Sequence, residues 1–99
     1  MENFLTHDQF VENLNTKFHF SADGTQVVEL ELAEVSELEL IATQEQFAIV
    51  FRGPREPFLG QGTRLLDHEK LGSSELFLVP IREDAEGYYY ESVFNRFRK

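Results

Sequence analysis

The chain has 99 residues, a formal net charge of −9, 41% hydrophobic residues, ten Phe, three Tyr, no Trp and no Cys. It is long enough for one domain, residues 1–99, and a chain of this size buries roughly 60 to 70% of the surface its unfolded form exposes. This composition excludes disorder, disulfides and thiolate chemistry, and no apolar run reaches the ~20 residues of a membrane helix.

The charge is uneven. Residues 1–50 carry ten acids and a single base, Lys17, whereas residues 51–99 carry eight of each. A duplex-binding surface needs a basic face, so no duplex nucleic acid is expected as a partner. The acidic half reads as a solvated surface or as the complement of a basic partner. The start, Met1-Glu2-Asn3-Phe4, has neither the basic segment nor the apolar core of a secretory signal. Cytoplasmic folding is therefore expected, compatible with later export by a dedicated machine.

In chain order, Thr6 with Gln9 forms a capping box, and Leu5 with Phe10 a hydrophobic staple. They predict a short helix that ends near Asn13 or Asn15, with Phe10, Val11 and Leu14 on its apolar side. Phe18-His19-Phe20 alternates as a half-buried strand does. Ala22-Asp23-Gly24 supplies a turn into a strand from Gln26 to about Val35, with Val28, Leu30 and Leu32 on one face. Ser36 to Ala42 is ambiguous between loop, helical turn and strand. Gln46 to Arg52 is a strand with Phe47, Ile49 and Phe51 on one face, and Pro54 and Pro57 end it. Gln61 to His68 is another strand.

Glu75 to Ile81 holds six apolar residues in a row, bounded by turn residues. It reads as a strand buried on both faces, with Leu76, Leu78 and Pro80 on one side and Phe77, Val79 and Ile81 on the other. Tyr88 to Phe97 is the last strand. Tyr88, Tyr90, Ser92 and Phe94 share one face, and Tyr89, Glu91, Val93 and Asn95 the other. Arg96 to Lys99 is a basic tail with one aromatic. The fold class is mainly β: a small six-stranded antiparallel barrel or sandwich with a short N-terminal helix.

Several blocks of the second half resemble one pattern. They are Phe51-Arg52-Gly53-Pro54, Leu59-Gly60-Gln61-Gly62-Thr63, His68-Glu69-Lys70-Leu71-Gly72, Leu76 to Ile81, Gly87, and Tyr90 to Asn95. The pattern is similar to that of a family of short bacterial all-β domains of unknown function. The resemblance implies a small protein without an established activity. Some members occur near genes for phage-tail-like collar proteins, which implies an assembly role. The same residues have structural reasons: Gly53, Gly62 and Gly72 suit positive φ or close backbone approach, Pro80 suggests an edge or a bulge, and His68 can hold a turn by bonding a backbone carbonyl.

No catalytic constellation is present. His7, His19 and His68 have no close ligand spacing, so no metal site is expected. Gly60-Gln61-Gly62-Thr63 lacks the Lys-Ser/Thr end of a phosphate loop, and no cofactor is expected. Glu29 and Glu31 are too ordinary on a solvated strand to indicate acid–base catalysis. Spaced at about 6.6 to 6.8 Å, they would suit, with Glu34 as a third member, an acidic inhibitor that imitates a nucleic-acid backbone. Ten phenylalanines would also suit a small barrel that carries an apolar ligand.

The preferred reading is a non-enzymatic assembly or protein-binding module that binds itself or a larger bacterial structural protein, without membrane insertion. Its expected interface is Tyr88, Tyr89 and Val93, with Arg52 and Arg55 as a basic patch for contact with an acidic surface. The competing reading has the tyrosine strand covered on both sides within the monomer.

Overall fold

The structure, a computed structural model, describes residues 5–21 and 26–97. A helix α1 (His7–Glu12) precedes seven strands: β1 (Lys17–Ser21), β2 (Val27–Val35), β3 (Glu39–Ile41), β4 (Gln44–Gly53), β5 (Gly62–His68), β6 (Gly72–Asp84) and β7 (Gly87–Phe97). All pairings are antiparallel. The order is β2-β1-β5-β6-β7-β4-β3, and a further β2–β4 pairing closes six of the strands into a barrel. The expected β1–β2 hairpin is present; its turn at Ala22-Asp23-Gly24 lies outside the described residues.

The seventh strand, β3, comes from the ambiguous stretch. One edge of β4 pairs with β7 along its whole length. The other edge pairs first with β3, at Gln44 to Gln46, and then with β2, at Ile49 to Arg52. Ser36 fills the interval between them: its N–H donates to the Ala48 carbonyl and its Oγ accepts from the Ala48 N–H, both at 2.8 Å.

The helix is capped as expected. Thr6 Oγ1 accepts from Gln9 N at 3.1 Å, and Thr6 N donates to Gln9 Oε1 at 2.8 Å. Leu5 and Phe10 are buried, but Val11 and Leu14 are exposed. In six residues the side that faces the barrel passes through Phe10 alone. Beyond the helix, Asn15 N donates to Leu32 O and Leu32 N donates to Thr16 O, which ties the helix end to β2.

Alternation along the strands sends Phe18, Leu30, Ile49, Phe51, Leu66, Leu78 and Tyr90 into the barrel, where all are fully buried. Tyr90 takes its hydroxyl inside with a partner, accepting from Leu59 N at 3.0 Å. Burial pushes its pKa up. Gly53 and Gly87 let β4 and the β6–β7 turn touch. A Cβ on Gly87, whose φ is +148°, would stand 1.9 Å from the Gly53 carbonyl oxygen. Gly72 has positive φ, whereas a Cβ on Gly62 would meet only the Arg64 guanidinium, at 4.0 Å.

The Glu75 to Ile81 stretch corrects the sequence reading. Leu76 and Leu78 are buried, but Phe77 is 49% and Ile81 41% exposed. A barrel wall has only one inner face, and among the described residues no second layer covers this part of the outside. Pro80 sits beside a register shift between Pro80 and Arg82, the expected bulge.

β6 and β7 stay together only from Val79 and Glu91 to Asp84 and Gly87. Below that point β6 pairs with β5 and β7 with β4. The seam holds a cleft of about 310 Å³ lined by Leu5, Leu76, Phe94 and Arg96 among others.

Leu78→Ala should therefore cost about 2 to 5 kcal/mol, the range for emptying a core site, and Phe77→Ala less than about 1 kcal/mol. Urea denaturation of both variants checks this; equal losses would mean that Phe77 is covered.

Candidate functional site

The outer face of β4 and β7 divides into two ends. At the Phe97 end, strand alternation turns Ala48, Val93, Asn95 and Phe97 outward, away from the buried Phe47. Val93 is 67% and Phe97 77% exposed. Phe77 stands on the far bank of the seam, and Ile41, 53% exposed, flanks Gln44, the partner of Phe97. A cleft of about 520 Å³ lies over Val93, Ala48, Gln46 and Asn95, walled by Ser36, Glu37 and Glu39. Val93 also borders the seam cleft. An exposed apolar strip of this kind, rimmed by polar groups, has the make-up of surfaces that meet partners or ligands.

Behind it, on the inner face, Arg96 stacks on Phe94 and Phe47, with its guanidinium carbon 4.9 and 5.3 Å from the ring centres. Its Nε lies 3.8 Å from Glu45 Oε2.

The Tyr89 end is closed by its own charges. Tyr89 does point outward, but it is 9% exposed. The Arg82 guanidinium lies 4.3 Å above its ring, and its hydroxyl donates to Asp84 Oδ2 at 2.9 Å. That bond raises the tyrosine pKa, with burial second. The Glu86 N–H and then the Tyr89 hydroxyl hold the Asp84 carboxyl below its usual range. Arg52 bonds Glu31 and, at 2.7 Å, Glu86. Arg55 donates to the Asp84 carbonyl at 2.8 Å. Tyr88 is half-buried and meets Phe58 edge-on at 4.8 Å.

Of the five expected interface residues, Val93 stands free on the apolar strip. Tyr88, Tyr89, Arg52 and Arg55 are gathered at the opposite end and engaged within the chain. Phe77, Phe97 and Ile41 join Val93. Phe77 and Phe97 were signalled by alternation about the buried Leu76 and Leu78 and the half-buried Phe94; Ile41 had no such signal.

A family model described as a domain of unknown function, DUF6916, matches residues 5–94. The chain belongs to this family. No curated protein and no solved structure matches it. The DUF6916 match takes in Val93 and stops within β7, before Asn95. Among the described residues, no helix of this DUF6916 chain is long and apolar enough to cross a membrane.

The histidines of the DUF6916 barrel serve its architecture. His7 Nε2 lies 2.7 Å from the Ser36 carbonyl oxygen, and His19 Nε2 3.4 Å from Glu29 Oε2. His68 is 7% exposed. Its Nδ1 accepts from Lys70 N at 3.0 Å and Leu71 N at 3.2 Å. Nδ1 thus carries no proton, and Nε2–H donates to Thr16 Oγ1 at 2.8 Å. Thr16 in turn donates to the Asn13 carbonyl at 2.6 Å. His68 does hold the turn, but as an acceptor of amides, and it also ties that turn to the end of α1.

Burial lowers the His68 pKa, so the unfolded chain takes up the proton first as pH falls. The stability it contributes is complete above the ordinary histidine value and is lost on descent through the folded value. The melting temperature should fall between about pH 7.5 and about pH 5, and His68→Gln should shallow that fall. Melting curves across this range check it; equal slopes in both proteins would refute it.

Proposed function

We propose that this DUF6916 barrel is a non-enzymatic protein-binding module that acts in assembly, docking through its Phe97 end on another copy of itself or on a larger structural protein. The observation that carries the reading is Val93, 67% exposed at the centre of an apolar strip between two clefts. A small domain that leaves such a residue uncovered, with Phe97, Phe77 and Ile41 beside it, has apolar surface to bury on association. The resemblance to short bacterial domains, some encoded near phage-tail-like collar proteins, favours a bacterial structural partner.

Two other readings receive less support. A ligand-carrying barrel needs an empty interior, and here Phe10, Phe18, Phe51 and Tyr90 fill it. A nucleic-acid mimic needs free carboxylates, and Glu31 and Glu34 are bonded to Arg52 and Arg82.

Sedimentation over a range of concentrations tests the docking face. The unaltered protein should gain mass with concentration, and Val93→Asp should stay monomeric with an unchanged melting temperature, because an exposed substitution costs within about 0.5 kcal/mol. Equal association by both would remove this face from the reading.

A further inference from the structure

The cleft over Val93 has a charge as well as an apolar floor. Glu37 and Glu39 wall it, both exposed, and among the described residues neither is in an ion pair. The other nearby acids are taken. Glu34 is held by Arg82 and Glu45 lies by Arg96, which faces the inner side. The cleft therefore lacks a cation beside an apolar group. The sequence holds that combination at one end of the same strand: Phe97 is followed by Arg98 and Lys99.

β7 runs from Val93 to Phe97 and so points away from its own cleft. Glu39 lies two strands across from Asn95, about 10 Å away, so a tail of the same copy would have to reverse its direction to meet it. A second copy related by a two-fold axis near Phe97 has its β7 reversed. That strand's direction leads back over the first copy's Asn95 towards Glu37 and Glu39, and the contact repeats in the other direction.

Resting on the docking face just described, we propose that the occupant of the cleft is the Phe97-Arg98-Lys99 segment of a second copy, exchanged in a symmetric pair. The apolar part of the contact is Phe97 with Val93 and Ile41. The charge part is Arg98 and Lys99 against Glu37 and Glu39, which sets the register and speeds encounter.

Charge exchange tests this directly. Two proteins are made, Glu37→Lys with Glu39→Lys, and Arg98→Glu with Lys99→Glu. Each alone should self-associate at least about tenfold more weakly than the unaltered protein. Mixed one to one, they should regain association, because every rim then meets a tail of opposite charge. Raising salt from about 0.05 M to about 0.5 M should weaken the unaltered pair. Sedimentation reads the mass, and circular dichroism confirms that both variants are folded.

The proposal is overturned if the unaltered protein stays monomeric at low salt, if either variant associates as well as it does, or if the mixture fails to recover. Association that Val93→Asp abolishes but the charge variants leave intact would overturn the tail exchange alone and leave the docking face standing.

Discussion

A six-stranded closed sheet has one interior, and that interior is the only place this chain can bury a second row of side chains. Each strand must therefore spend alternate residues on the outside, whatever their chemistry. Leu76 and Leu78 enter the barrel and leave Phe77 between them 49% exposed. Ser92 and Phe94 face inward, and Val93 is left outside. The exposed apolar strip follows from closing a small sheet around an apolar centre while keeping apolar residues on its outer rows.

Closure itself depends on β4. Being long, it holds β7 along one edge and β2 with β3 along the other. Because β2 leaves at Ile49, the lower edge of β4 is free for β3, and the loop between them carries Glu37 to the rim of the Val93 cleft. The same end of the barrel is where β6 parts from β7. Leu5, set in place by the capping box, lines the split. The helix thus plugs the barrel at the place where its hydrogen bonding fails, and this end is also the one with open clefts.

Much of this was legible from local pattern. Thr6 with Gln9 fixed the start of the helix, Val28-Leu30-Leu32 and Phe47-Ile49-Phe51 fixed two inner faces, and Pro80 marked the bulge. These are short-range features, set by spacing along one segment. The β2–β4 closure was not legible, because it joins residues 14 (Val35 with Ile49) to 21 (Glu31 with Arg52) positions apart, across a stretch whose own reading was ambiguous. Glu39 to Ile41 escaped as a strand because all three of its residues are exposed and so show no alternation of burial. Phe77 was misread since an unbroken apolar run looks the same whether or not a second layer exists to cover it. Tyr89 was placed on the correct face, but its cover by Arg82 joins strands through side-chain stacking, which no periodicity records.

The charge split along the sequence becomes a set of ion pairs across the barrel wall in three dimensions. Acids of β2 meet arginines of the second half: Glu31 bonds Arg52 across the β2–β4 pairing, and Glu34 bonds Arg82 on β6. Pairs this exposed contribute on the order of 0 to 1 kcal/mol each, too little to drive closure, which apolar burial accomplishes. Their effect is on register and on exposure. They shield Tyr89 and hold carboxylates of that end in pairs, whereas Glu37 and Glu39, beside the strip that burial could not cover, are in no ion pair among the described residues. Uncovered apolar area and unpaired charge thus come together at one end for separate reasons, one topological and one electrostatic. A partner for such a surface would have to be both apolar and basic, because a purely apolar one leaves the carboxylates desolvated and a purely basic one leaves Val93 wet.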